Sequence, residues 1–213
     1  MKKKLSKSDS PLEGKDSREV ILTVALQLFT TRGYDGTSID DIRLQAGFKS
    51  KASLYTHFKS KEDVADALMT RILSSIEQVT LQAYTTAKNE PICQFIAIMR
   101  SLIEWALTHP QECVFHLIRG QQEKMLTGEY DFEGNQPSVS YLVILGLVQQ
   151  LRTDYPVRQI HDAALLSMIF VLIAQAVMDR DAFGSISLTE HMDRVLEMCL
   201  GVLFSQSVEV PMV

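Results

Sequence analysis

The sequence predicts an all-α protein, with an N-terminal three-helix helix-turn-helix domain followed by a larger helical domain. Three observations lead there. Apolar residues recur at helical spacing through most of the 213 residues, and no bounded run alternates with the period of a strand. Gly33 and Gly47 end the first two periodic runs and leave one short helix between them. The charge is also lopsided. Through Lys61, twelve Lys and Arg stand against seven Asp and Glu, and the rest of the chain carries nine against nineteen, within a net charge of -5.

The elements follow in order. Residues 1–16 are Lys- and Ser-rich with few apolar positions, and predict a flexible basic arm. A first helix spans about Ser17 to Arg32, with Ile21, Val24, Ala25, Leu28 and Phe29 on one face. A second starts at Thr37, where Thr37-x-x-Asp40 reads as a variant capping box, and turns Ile39, Ile42 and Ala46 inward. A third runs from about Ser50 to Phe58 and docks through Leu54 and Phe58. Ser60-x-x-Asp63 then caps a long fourth helix striped by Val64, Leu68, Ile72, Ile76 and Val79. Beyond it, Pro91, Pro110, Pro137 and Pro156 each precede a periodic run, since a helix start loses least from a missing N–H. Those runs are about Ile92–Leu107, Gln111–Leu126, Ser138–Arg152 and Val157–Met178, and a last helix covers about Leu188–Phe204. Thr127 to Gln136 reads as a loop. The domains expected are 17–62 and 63–206.

Hydrophobic residues make up 46% and charged residues 22%, as in an ordinary globular protein. Cys93, Cys113 and Cys199 lie far apart without a CxxC pair, which argues against a disulfide framework or zinc site and for a reducing, cytoplasmic setting. The Lys-rich start lacks an apolar h-region. The most apolar run, Ala163 to Val177, is shorter than the ~20 residues of a membrane span, so no membrane association is expected. Gly-rich phosphate loops, GxSxG and HExxH are all missing, so no catalytic residues and no cofactor are expected, and the chain does not read as an enzyme. Cys113 and His116, three apart with His109 nearby, are a conceivable metal or thiolate cluster, but a buried Cys beside a His is the commoner arrangement and no metal is expected.

Two short helices around a Gly-containing turn form a helix-turn-helix, whose second helix must present donors to base edges and phosphates. Between Arg43 and Lys61 there is no acidic residue, and Lys49, Ser50, Lys51, Ser53, Tyr55 and His57 supply that surface. This points to double-stranded DNA as a partner.

From Arg18 to about Met69 the chain resembles the TetR family of bacterial regulators. The matching pieces are Ala25-Leu-Gln-Leu-Phe, Arg32-Gly-Tyr-Asp-Gly-Thr-Ser-Ile, Ala46-Gly, and Ser53-Leu-Tyr-Thr-His-Phe-Lys-Ser-Lys-Glu. Phe48-Lys49-Ser50-Lys51-Ala52 makes the turn about one residue longer than the family's usual pattern. The resemblance implies phosphate contacts from Tyr55 and Lys61, Thr37 and Ser38 at a helix start near the backbone, and Thr56 and His57 beside them. His57 has packing against Phe58 as its structural alternative.

The resemblance also implies that residues 63–206 form a ligand-binding and dimerisation domain. Candidate pocket residues are the aromatic and Met side chains Met69, Met99, Trp105 and Phe115, with Tyr141, Met168 and Phe170. Few charged residues lie inside these helices, which favours an apolar or weakly polar small-molecule effector. The excess apolar surface of the last two helices points to a homodimer through Ile169, Ile173, Leu196, Leu200 and Leu203. The function expected is a ligand-responsive transcriptional regulator, a repressor released from a palindromic operator by its effector. A dimeric regulator controlled by a protein partner is the alternative. The fourth helix, ~35 Å long at ~1.5 Å per residue, would be the lever between pocket and DNA.

Overall fold

The computed structural model describes residues 16–127 and 138–208. The expected arm at Lys2, Lys3, Lys4 and Lys7 and most of the expected Thr127–Gln136 loop lie outside them. The described residues are helical throughout apart from turns and one isolated antiparallel bridge between Val157 and Phe204. Among them, no helix is long and apolar enough to cross a membrane. The chain divides into two compact units, one ending at Leu68 and the other beginning at Met69.

In the first unit, α1 (Ser17–Arg32) starts at Asp16, whose carboxylate accepts from the Arg18 N–H, and stops at Gly33, which takes a left-handed φ of 77°. Ile21, Ala25, Leu28 and Phe29 are buried, as their spacing predicts. The next helix, α2 (Ile39–Gln45), corrects the expected cap. Its N-cap is Ser38, which forms a full capping box with Asp41. Thr37 is 1% exposed and donates to the Gly33 carbonyl at 2.9 Å. The local reason is the turn after α1: Thr37 closes it, so the helix starts one residue later. Ile42 and Ala46 are buried and Ile39 half-buried.

Then α3 (Lys51–Tyr55) starts on Ser50 and ends before Thr56, shorter than expected. Leu54 and Phe58 are each 1% exposed all the same, because the turn after the helix carries Phe58 back to the core. The Arg18 guanidinium covers the Phe58 ring at 4.2 Å and donates to the His57 carbonyl, which ties the start of α1 to the end of this turn. The first turns of α4 (Lys61–Thr86) add Val64, Ala65 and Leu68 to this core. The Ser60 hydroxyl accepts from the Asp63 N–H, as the Ser60-x-x-Asp63 pattern predicts.

The second unit is organised around α5 (Pro91–Thr108), which is buried over most of its surface and packs on α6 (Pro110–Thr127), α7 (Val139–Asp154), α8 (Asp162–Met178) and α9 (Leu188–Leu203). Pro91 and Pro110 open their helices as expected. Pro156 does not. The stretch 157–161 spends its backbone elsewhere: Val157 bridges to Phe204, and the Arg158 N–H donates to the Leu203 carbonyl at 2.9 Å. The Arg158 guanidinium donates to the carbonyls of Gly201 and Val202 at the end of α9, where a cation also suits the helix dipole. Arg152 holds the other side of the stretch, donating to Asp162 and to the carbonyls of Arg158 and Ile160. The helix therefore begins at Asp162, not Val157. A short 3-10 turn, Arg180–Phe183, links α8 to α9.

Candidate functional site

The turn between α2 and α3 is built by Gly47 and Arg43. Gly47 has φ 79°, a conformation that costs a glycine little. Arg43 reaches across the turn to donate to the Phe48 carbonyl at 2.6 Å, while its Nε donates to Asp40, also at 2.6 Å. The Arg43 hydrogen bond, followed by the charges of Arg43 and Lys51, holds the Asp40 carboxyl below its ordinary range. The Ser38 hydroxyl does the same for Asp41. Both acids are thus committed to holding the turn and the helix start.

The turn sets out a surface in which Lys49, Ser50, Lys51, Tyr55 and Thr56 are all exposed. Lys51 is exposed and makes a long ion pair with Asp40 at 4.0 Å, and Tyr55 is 46% exposed. Ser50 and Ser53 are partly engaged in the cap: Ser50 accepts from the Ser53 N–H, and Ser53 donates back to the Ser50 carbonyl. Thr56 donates to the Ser53 carbonyl. His57 is half-buried with its ring edge-on to Phe48 at 5.9 Å, so it packs against the turn.

Two expected contacts are turned inward. The Thr37 hydroxyl is spent on the chain's own carbonyls and is no longer on the surface. Lys61 is half-buried, with its Nζ 4.0 Å over the Tyr34 ring and donating to the Tyr34 carbonyl at 2.8 Å. It pins the start of α4 to the loop after α1. Two residues outside the expected contacts lie on the surface. Lys59 is exposed beside the turn, and Leu44, on α2, is 61% exposed. The signal for Leu44 was available: it is an apolar residue off the Ile39–Ile42–Ala46 stripe.

The second unit contains a partly open cavity of about 80 Å³. Of the seven candidates, Trp105, Tyr141 and Phe170 line it. Met69, Met99, Phe115 and Met168 do not. Met99 and Phe115 are closed into the core, Met69 is half-buried away from the cavity, and Met168 is 51% exposed on the surface. Sequence reasoning missed the aliphatic walls from Leu73, Leu102, Ile144 and Ala174, because those residues share their spacing with ordinary core. It also missed Ser140. Cys113 and His116 line the cavity too, but no cluster forms with His109, whose ring stacks on Trp105 at 5.5 Å with its Nδ1 3.0 Å from the Trp105 carbonyl. Burial pushes the Cys113 thiol up to about 12, so it stays protonated.

The residues expected to pair two copies need correction. Ile169, Ile173, Leu196 and Leu203 are all buried within the single chain, and Leu200 is half-buried. The reason is packing within the chain: α9 lies on α5 and α8, and α8 is covered chiefly by α9 and α6, with α5 and α7 also against it. The outward stripe of α8 is Met168, Val171, Leu172 and Gln175, at spacings of three and four, and it forms a surface groove with Met198 of α9.

Residues 21–68 match the family model described as bacterial regulatory proteins, tetR family. The chain is 28% identical over 109 residues to the HTH-type transcriptional regulator AcrR of Shigella flexneri, covering 49% of this chain and 50% of that protein. It is 47% identical over 47 residues to IcaR, the HTH-type negative transcriptional regulator of the biofilm operon icaADBC in Staphylococcus aureus strain Newman, covering 22% of this chain and 25% of that protein. The chain thus spans half or less of the length of these curated relatives. Among solved structures, a TetR family transcription regulator from Marinobacter aquaeolei VT8 superposes with a TM-score of 0.68 at 18% identity, over 88% of this chain and 95% of that one. The ketosteroid transcriptional regulator KstR2 of Mycobacterium tuberculosis does so with 0.64 at 18% identity, over 90% and 97%. At these identities the structures speak for the fold.

Proposed function

From the premise that the chain belongs to the TetR family of bacterial regulatory proteins, we propose that it is a homodimeric, DNA-binding transcriptional repressor that leaves its operator when a small neutral effector enters the second unit. The observation that carries the DNA reading is the exposed surface of Lys49, Lys51 and Tyr55 on a helix-turn-helix, with the nearby acids Asp40 and Asp41 bound internally. Lys charges draw the phosphates and displace counterions, while the Tyr55 hydroxyl can donate to a phosphate oxygen. Ser38, at the exposed start of α2, can approach the backbone. Leu44 can meet a thymine methyl or a sugar. Lys61 is a positioning residue in this reading.

The dimer reading rests on the α8 stripe of Met168, Val171 and Leu172, together with Met198, which the single chain leaves at its surface. A two-fold pair would present two such helix-turn-helix units to a palindromic site.

The test is binding of fluorescent duplex DNA across a salt series. Lys51→Ala should lower affinity for all sequences and flatten the log–log salt slope by about one unit. Lys61→Ala should leave that slope near the wild-type value, because its ammonium is spent on Tyr34. An unchanged slope in Lys51→Ala, or a flattened one in Lys61→Ala alone, would overturn this assignment.

A further inference from the structure

The cavity of the second unit has a definite chemistry. Among the described residues, no Asp, Glu, Lys or Arg lines it. Its walls are aliphatic, with Leu73 and Ile76 from α4, Leu102 from α5 and Ile144 from α7, and three aromatic rings, Trp105, Tyr141 and Phe170, face the space. The polar groups are few. Trp105 has already committed its indole N–H to the Ser75 hydroxyl at 2.9 Å and stacks with His109 on one side, which leaves the rest of its ring for contact with a guest. Ser140 is 4% exposed and shares a hydrogen bond with Ser138 at 2.7 Å. With Tyr141 and His116 it supplies groups that can both donate and accept. Cys113 adds a thiol that burial keeps neutral.

Size narrows the choice further. A volume of about 80 Å³ exceeds the roughly 10–15 Å³ that one water requires, so a multi-atom guest fits. It falls far below the roughly 300–1,000 Å³ of sites that enclose drug-sized ligands. A charged guest would lose its hydration with no counter-charge to meet it. A flat ring can lie against Trp105, Tyr141 and Phe170 in offset or edge contact.

We infer that the cavity binds a compact, neutral molecule with one aromatic ring and one hydroxyl-type polar group, of the simple phenol class. The ring occupies the aromatic and aliphatic walls, and the polar group meets the cluster of Ser140, Tyr141 and His116. This deepens the effector reading and rests on it only for the consequence at the DNA.

The experiment uses the full chain and p-cresol as the probe, with benzoate and benzylammonium as charged molecules of similar size. Calorimetry measures binding. The emission of Trp105, the chain's single tryptophan, reports whether binding occurs in the cavity. We expect saturable binding of p-cresol at one site per chain with a change in Trp105 emission, and binding of both charged probes weaker by at least about tenfold. Ala174→Leu adds bulk to the wall and should weaken p-cresol by a similar factor. Should that variant fail to fold, Ile144→Ala provides the opposite test, since it enlarges the space and should admit 2-naphthol more tightly than the wild type does. No binding of p-cresol, equal binding of the charged probes, or affinities indifferent to both variants would overturn the assignment. Binding of p-cresol that leaves DNA affinity unchanged would uphold the cavity's ligand class and defeat the effector reading alone.

Discussion

Ser38 satisfies both halves of the box that starts α2: its hydroxyl accepts from the Asp41 N–H, and the Asp41 carboxylate accepts from the Ser38 N–H. Ser38→Ala should therefore destabilise the protein by about 1 kcal/mol, and Ser38→Gly by only a few tenths, in denaturant unfolding. A neutral Ser38→Ala would return the cap to Thr37. The pH dependence has a defined sign. Asp41 titrates below its ordinary value of 3.8 in the folded chain, chiefly through the Ser38 hydroxyl. Its contribution is thus complete above that value and is lost as the pH falls through the lowered one. Residue-scale legibility was uneven for a physical reason. Buried positions such as Leu54 and Phe58 follow from spacing alone, even where the helix ends early. Thr37 and Ser38 both have the chemistry of a cap, and only the turn after Gly33 decides between them. Lys61 matches a phosphate contact by motif, yet its direction depends on Tyr34, 27 positions away in the chain.

Among the helices, α8 was the hardest to orient from sequence. It is apolar on nearly every side, so periodicity identifies a helix without telling which face meets its own core. The structure assigns Ile169 and Ile173 inward and Met168, Val171 and Leu172 outward. Met168→Glu should therefore shift the protein toward monomer in sedimentation, with its unfolding transition retained, because the charge stays in water within each chain. Leu196→Glu should instead destabilise the fold itself, since Leu196 is 7% exposed and a carboxylate there has no partner supplied. A dimer unaffected by Met168→Glu would remove this stripe from the interface. The other helices were legible to within a few residues. The exception was the start of α8, where Pro156 suggested an opening that the Val157–Phe204 bridge and the two arginines, Arg152 and Arg158, replace with extended chain.

For the molecule as a whole, the sequence reading and the structure agree on a small helix-turn-helix unit followed by a larger helical one. The sequence reading sets the domains at 17–62 and 63–206, whereas the compact units divide between Leu68 and Met69, inside α4. Charge asymmetry and the Leu54-Tyr55-Thr56-His57-Phe58 motif made the first unit readable. The cavity was only partly readable, because three aromatic rings stand out in a sequence while aliphatic walls do not. Its neutrality follows from which residues five helices bring together, and that is a property of packing. The central claim is that the surface of Lys49, Lys51 and Tyr55 reads DNA as a two-fold pair. The most direct measurement is selection of bound sequences from a random duplex pool, by the wild type and by a Lys49→Ala/Lys51→Ala/Tyr55→Ala variant whose helical circular dichroism is unchanged. The account predicts that the wild type enriches a near-palindrome with half-site centres one helical turn or a multiple of it apart, ~34 Å per turn, and that the variant enriches nothing. A wild type that enriches no symmetric site, or a variant that enriches the same site equally well, would contradict it.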